Sequence, residues 1–438
     1  MGVDGVWRRT GEGKYFEYIQ SAVDPFIGPD GAIATYDAKE NQLDSVLLGR
    51  QLLLLYRVTK QEKYAQAATV LYEQLKHQPR TASGGFWHKQ RYPNQMWLDG
   101  LYMAEPFYAE YAATFHHPEA VSDIGLQFRL IDEHARDAKT GLLRHGWDES
   151  RQQRWADKET GQSPEAWARA MGWMMMALVD TLDYLPEGSA ERRELLTQLG
   201  RDAAAVVRFQ DKDSGLWWQV MDQGGKAGNY FESSGSCMFV YALAKGVRRG
   251  YLPGRYRSNA ERGYKGILDH FVEAGAGNDV TLKGTVKVGG LGGDPYRDGT
   301  YAYYISEPVV SNDPKGVGAF LLASVEMEWA GRSGNNGPDL SGSWPTAMTL
   351  GVLQDDGLIP KGEIDPASVW TTRLASEPVG KDMWSQDYFV QVKLRSGDTV
   401  RAIAQINCSP LPDLNMGPVV YVVSKVLQPE GKPEPSKR

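Results

Sequence analysis

The sequence predicts an all-α chain folded as an (α/α)6 barrel, lacking the first outer helix of such a barrel and carrying a small C-terminal β-rich appendage. Three observations predict it. Helical segments come in two kinds, one with a single apolar stripe and one apolar nearly all round, as expected of outer and fully buried inner helices. The two kinds alternate through five pairs after residue 40. Spacings between the apolar segments are long and unequal, and no short motif recurs, which argues against an open helical solenoid.

Residues 1–9, MGVDGVWRR, read as the end of an inner helix. Amphipathic segments follow at 12–26, 61–77, 118–136, 191–210 and 257–274; in 61–77, Tyr64, Ala67, Ala68, Leu71 and Leu75 recur at helical spacing. The apolar partners lie at 42–58, 95–115, 164–185, 232–249 and 314–330. For 164–185, Ser163 suits an N-cap, Pro164 a first helical residue and Pro186 a stop. Asp313-Pro314 opens the last inner helix, and Met174, Met175 and Met176 read as packing filler. The long segments 138–163 and 275–312 are candidates for the walls of a binding site. The catalytic barrel is expected over 1–330 and a linker over 331–375, which contains GRSGNNGPDLSGSWP. The β-rich appendage is expected over 376–428, with strands near 388–394, 399–406 and 419–427, and a disordered tail over 429–438.

Composition narrows the function. A net charge of −7 gives no general attraction to nucleic acid or to an anionic membrane, and no apolar run has membrane-spanning length. Cys237 and Cys408 cannot form a disulfide framework or a four-ligand zinc site, and the seven histidines form no HExxH pair. No metal is therefore expected, and no organic cofactor, since no strand-linked GxGxxG or GxxxxGK[ST] loop is present. No feature points to an obligate protein partner. No signal peptide is visible after Met1, and the N-terminus reads as truncated, so cytoplasm and periplasm both stay open.

Residues 84–112, GGFWHKQRYPNQMWLDGLYMAEPFYAEYA, carry the strongest chemical signal. Asp99 stands there among Trp87, Trp97, Tyr102, Phe107 and Tyr108, with His88, Lys89 and Arg91 upstream. Aromatic faces, cations and one desolvated acid suit a small anionic sugar, and desolvation is expected to raise the Asp99 pKa. Asp44 near Arg50, then His145, Trp147 and Asp148, then Trp167, Arg169 and Trp173 lie where inner helices begin or in the first long loop. If the inner helices all open at one end, these residues share a cavity. Asp148 is a rival to Asp99 for the role of acid.

At these residues the chain resembles the unsaturated rhamnogalacturonyl hydrolases of glycoside hydrolase family 105, related to the unsaturated glucuronyl hydrolases of family 88. The resemblance covers about residues 1–330 and rests on the 84–112 run, the WxRxxGW pattern at 167–173, NYFESSGSCMFVYALAKG at 229–246 and DGTYAYYISEPVVSNDPKGVGAF at 298–320. It implies an (α/α)6 barrel that removes a 4,5-unsaturated galacturonyl residue from pectin-derived oligosaccharides. It also implies Asp99 as proton donor, Asp44 as second carboxylate, and His88, Lys89, His145, Trp167, Arg169 and Trp173 as residues lining the sugar site. Such a substrate is a vinyl ether, so protonation at C4 and addition of water at C5 open the ring and expel the aglycone without attack at C1. Competing expectations are an inverting glycosidase, a polysaccharide lyase, or a uronide-binding relative with impaired turnover.

Overall fold

A computed structural model describes residues 1–10, 13–59, 61–277, 279–330, 344–380, 383–408 and 419–426. Inner and outer helices alternate along the chain. α1 (Gly2–Thr10) is inner and α2 (Gly13–Val23) outer; α3 (Leu43–Val46) and α4 (Gly49–Thr59) share one inner position, followed by outer α5 (Glu62–His77). The pairs continue with α6 (Leu98–Phe115) and α7 (Ala120–Ala135), α8 (Ala168–Thr181) and α9 (Ala190–Arg208), then α10 (Ser233–Arg248) and α11 (Arg257–Phe271). The short α12 (Tyr301–Ser306) lies in a loop, α13 (Pro314–Ala330) completes the inner ring, and α14 (Trp344–Asp355) follows it.

Within the ring α1 packs on α13, α13 on α10, α10 on α8, α8 on α6, and α6 on α3 and α4, while α2 links α1 to α4. The chain is thus an (α/α)6 barrel, and among the described residues no helix fills the outer position before α1. Small residues allow the inner helices to approach. A Cβ added at Gly49 would lie 2.3 Å from Phe107, and one at Gly172 would lie 2.8 Å from Met238. The core is continuous around the ring, and α8 is buried from Ala168 to Thr181.

Three two-stranded ribbons lie in the loops: β1 (Gln95–Trp97) with β2 (Gly146–Asp148), β3 (Val272–Ala274) with β4 (Val280–Leu282), and β5 (Thr285–Val286) with β6 (Val309–Val310). They explain where the inner helices depart from the expected bounds. The 95–115 helix starts at Leu98 because 95–97 pairs with β2. The 164–185 helix starts at Ala168, not Pro164: Ser163 bonds back to Gly146, Trp167 bridges Val220, and Ala168 N–H donates to Gln219. Backbone pairing with neighbouring loops outweighs the N-cap signal at Ser163. That helix also ends at Thr181, before Pro186.

The appendage holds four antiparallel strands, β7 (Ile364–Gly380), β8 (Met383–Leu394), β9 (Thr399–Cys408) and β10 (Val419–Val426), in the order β10-β9-β8-β7. Strand β9 alternates buried and more open residues, and Val390, Val392, Val400 and Ala402 pack with Leu350 and Leu353 of α14. The segment expected as a linker, 331–375, therefore holds a helix and most of a strand; its first part, 331–343, lies outside the described residues, as does the 429–438 tail. Strand β7 runs along α2, and α14 packs on α4. Trp7, Thr59, Leu350 and Ile364 line one cavity between barrel and appendage. Trp7 and Thr59 lie near the C-terminal ends of α1 and α4, so the appendage covers the barrel at the end away from the inner-helix N-termini.

Candidate active site

The N-terminal ends of the inner helices gather the polar residues of the site. Asp44 and Asp99 occupy the first turns of α3 and α6, while Trp167 and Glu232 precede α8 and α10. Carboxylates are favoured there by the helix dipole.

Asp99 is placed by the β1–β2 ribbon. Trp97 pairs with Gly146, and Leu98 N–H donates to the His145 carbonyl at 3.0 Å, which brings His145 to the start of α6. Asp99 Oδ2 then stands 3.1 Å from His145 Nε2, and among the described residues neither atom is engaged by any other group, so a small turn of carboxyl or ring brings the ion pair into line to share a proton. The other ring nitrogen, Nδ1, lies 2.7 Å from the Tyr304 hydroxyl of α12. The His145 ring is wedged against Trp167 at 4.8 Å and Trp97 at 5.4 Å between centroids.

The Asp99 pKa is lowered, not raised as its aromatic surroundings predicted. Burial raises it, but attraction to His145 and more weakly to His88 wins, and the carboxyl is held below its ordinary range. The sequence shows the desolvating aromatics next to Asp99 but not a histidine 46 positions away in the chain.

Asp44 is the more open carboxylate, with its side chain 43% exposed. Lys89 Nζ donates to Asp44 Oδ2 at 2.6 Å and to Gln42 Oε1 at 2.8 Å. His88 Nε2 lies 3.6 Å from Asp44 Oδ1, and its buried ring stacks on Trp97 at 4.5 Å, with Tyr92 on Trp97 in turn at 4.8 Å. Burial pushes the His88 pKa down to about 4 against the opposing pull of Asp44, so the ring is neutral at neutral pH. The charges of Asp44 and Asp99 both act on His88, which links the two carboxylates.

The WxRxxGW residues supply the inner wall, in roles narrower than expected. Trp167 is 1% exposed: Tyr304 stacks on it at 5.7 Å, its Nε1 donates to Gln219 at 3.0 Å, and a Cβ at Gly289 would come within 2.5 Å of the ring. Its faces are taken up by protein, so it shapes the wall and offers no open stacking platform. Arg169 is also 1% exposed; Nε donates to Ser234 at 2.8 Å, while Nη2 donates to the Val286 carbonyl and lies 3.7 Å from Glu232. Trp173 stacks on Tyr102 at 4.8 Å one turn deeper. Asp148, the rival acid, is fully buried: Oδ1 accepts from Ser150 N–H and Oγ, and Oδ2 from Gln153 N–H. It orders its own loop.

Three residues of the site carried no separate signal in the sequence. Tyr304 lies within the 298–320 motif, one aromatic among several. Gln219 joins Trp167 to Tyr304, receiving Trp167 Nε1–H and donating to the Tyr304 carbonyl at 3.1 Å. Glu232 caps α10 and accepts from Ser234, Gly235 and Val286 N–H groups. Among the described residues, no cluster of three or more His, Cys, Asp or Glu side chains could hold a metal ion.

Comparison with known proteins places this architecture. The family model for glycosyl hydrolase family 88 matches residues 1–330. A solved glycoside hydrolase of family 105 from C. acetobutylicum is 45% identical, with a TM-score of 0.74 over 75% of this chain and 91% of that one. The 24.9 kDa protein of the picA locus of Rhizobium radiobacter is 44% identical over 230 residues, 51% of this chain and 97% of that one. An unsaturated rhamnogalacturonyl hydrolase of Bacillus subtilis is 27% identical over 239 residues, 53% of this chain and 64% of that one. With the family model covering the whole barrel, the chain is a glycoside hydrolase belonging to glycosyl hydrolase family 88.

Proposed function

We propose that this protein removes a 4,5-unsaturated galacturonyl residue from the non-reducing end of pectin- or rhamnogalacturonan-derived oligosaccharides, by protonating C4 and hydrating the double bond. The observation that carries the reading is the arrangement of one largely buried carboxyl, Asp99, paired with His145, and a second, more open carboxylate, Asp44, paired with Lys89. Vinyl-ether hydration needs one group that gives a proton and then takes one back from water, and one acid can do both. Ordinary glycoside hydrolysis instead needs two carboxyl groups flanking the anomeric bond.

In this mechanism Asp99 delivers its proton to C4, and positive charge develops at C5 and the ring oxygen. Asp44 stands ready to hydrogen-bond the sugar hydroxyls and the attacking water. Asp99 takes a proton from that water as it adds at C5. The hemiketal then opens and releases the aglycone. The depressed pKa of Asp99 in the free protein is compatible with this role, because a bound uronate adds negative charge and displaces water, and both raise a neighbouring carboxyl. Lys89 and His88 are the polar groups nearest Asp44 for orienting the sugar. The name of the Bacillus subtilis relative supports the same substrate class.

The test follows the conjugated C4=C5 chromophore of an unsaturated disaccharide in ultraviolet absorbance, in ordinary and heavy water. The proposal expects absorbance to fall as one deuterium enters at C4. A rise in absorbance from an intact polymer would mean a lyase, and release of aglycone with the chromophore intact would mean an ordinary glycosidase.

A further inference from the structure

His145 has a polar partner on both ring nitrogens. Nδ1 lies 2.7 Å from the Tyr304 hydroxyl, and Nε2 lies 3.1 Å from Asp99 Oδ2. Both His145 and Tyr304 are fully buried, and among the described residues His145 is the one hydrogen-bond partner of the Tyr304 hydroxyl. The Tyr304 backbone is fixed from two sides, by Gln219 Nε2 on its carbonyl and by N-capping of α12 at Thr300. The ring is fixed by stacking on Trp167. The hydroxyl rotor is therefore the part of this triad free to change its role.

We propose that Tyr304 is a positioning residue whose hydroxyl alternates between donating to and accepting from His145 Nδ1, and that this alternation lets the Asp99–His145 pair load from solvent the proton that Asp99 then gives to C4. The proposal rests on the reading of Asp99 as the acid. With Asp99 ionised and His145 neutral, the favourable arrangement puts a proton on Nε2, facing the carboxylate, while Tyr304 donates to bare Nδ1. Uptake of one proton from solvent, through the partly open Asp99 carboxyl, requires the hydroxyl to turn. Nδ1 then carries a hydrogen that Tyr304 accepts, and one further proton is shared between Nε2 and Asp99.

Moving that shared proton onto Asp99 gives the acid form, with a carboxylic acid facing a bare Nε2. Donation to C4 then leaves a carboxylate facing a lone pair. That repulsive arrangement makes Asp99 a better base at the step where water must lose its proton. The proton from water returns to Asp99, the hydroxyl of that water ends on C5, and the pair recovers its starting proton count. Burial raises the Tyr304 pKa well above the ordinary phenol value, so its hydroxyl stays protonated and can play both roles.

Other charged or titratable groups around the triad are His88 on the Asp99 side, with Lys89 and Asp44 beyond it, and Tyr303, Glu165 and Arg297 around Tyr304. All of them remain in Tyr304→Phe, so a change in pH dependence reports the lost hydroxyl. Phenylalanine keeps the ring stack but removes the donor to bare Nδ1 in one form and the acceptor of Nδ1–H in the other, and the second loss is the larger because that hydrogen belongs to the pair carrying the extra proton. A difference of about 1 kcal/mol between the two losses corresponds to about one pH unit or a several-fold change. The alkaline limb of kcat/KM should move down by about that much, with kcat lowered several-fold at neutral pH and KM nearly unchanged.

The deciding readout is the nitrogen NMR of ¹⁵N-histidine-labelled protein without substrate, with His145 assigned by its loss in His145→Gln. In the wild type, the His145 ring should carry its hydrogen on Nε2 above the alkaline limb and gain one on Nδ1 below it; Tyr304→Phe should shift that change to lower pH. A wild-type ring that keeps the same protonated nitrogen through the limb overturns the proposal without recourse to the variant. A Tyr304→Phe profile identical to wild type does the same. Failure of the acid reading is separately visible, because Asp99→Asn would then keep its turnover whatever the His145 spectrum shows.

Discussion

Replacing Asp180 by leucine should unfold the barrel more easily, and the structure sets the size of the effect. Asp180 of α8 is fully buried and accepts from Arg50 of α4 at 2.7 Å, Lys245 of α10 at 2.5 Å and the Tyr241 hydroxyl at 2.6 Å. Burial raises its pKa, but the two cations outweigh burial and hold it ionised. Removing one partner of a buried ion pair costs about 3–5 kcal/mol, because the other charge is stranded. Neither cation is stranded completely: Lys245 keeps Asp183 at 2.7 Å, and Arg50 keeps Glu110 at 3.6 Å. That places the ionic loss near the lower end, about 3 kcal/mol, and the Tyr241 hydroxyl, which keeps Lys245 Nζ at 3.3 Å but loses its acceptor, adds at most about 1 kcal/mol. The assay is urea unfolding followed by tryptophan fluorescence, read as a shift of midpoint at unchanged slope. A loss below about 1 kcal/mol would refute the view that this cluster ties three inner helices together, since buried ion pairs can be replaced neutrally when they contribute nothing net.

Three further outcomes follow from the same structure. Burial raises the Asp202 pKa to about 6 despite the pull of Arg136, and among the described residues its Oδ2 has no hydrogen-bond partner. The unfolded carboxyl titrates near 3.9, so this group favours the fold at low pH and that contribution is lost as pH rises from about 4 to about 6; Asp202→Asn should remove this part of the slope in a stability–pH curve. His88 pulls the other way over the same range, so the difference between variant and wild type is the quantity to measure. Gly289→Ala puts a Cβ 2.5 Å from the Trp167 ring, so it should displace the ring and cut kcat/KM about tenfold or more, with far smaller loss from alanine at Gly200 of α9, where a Cβ meets nothing within 4 Å. Asp44→Asn should lower kcat strongly with little change in KM; a variant that only raises KM would make Asp44 a uniform substrate binder.

Much of the fold was legible because inner helices such as α6, α8 and α10 are apolar nearly all round while the outer helices have one stripe, a difference that survives without any tertiary knowledge. The carboxyls at the helix starts were legible for the same reason, since alternation fixes which ends share a face. What the sequence hid depends on pairing between distant segments. Ser163-Pro164 has the chemistry of a helix start, yet loops 146–148 and 219–221 draw 163–167 into extended pairing. His145 reaches Asp99 through a three-residue ribbon too short to show alternation, and its charge reverses the expected direction of the Asp99 pKa. Trp167 and Arg169 read as sugar contacts, but close approach by the 286–290 loop and Glu232 encloses them.

The account stands on Asp99 as the group that protonates C4. Its most direct test is the single-turnover rate of chromophore loss in Asp99→Asn, with substrate saturating and the fold checked by circular dichroism. General acid–base assistance contributes about 10²–10⁴-fold, so the account predicts a fall of at least a hundredfold while the uronide still binds. A rate within a few-fold of wild type would contradict it and take the proton donor away from Asp99.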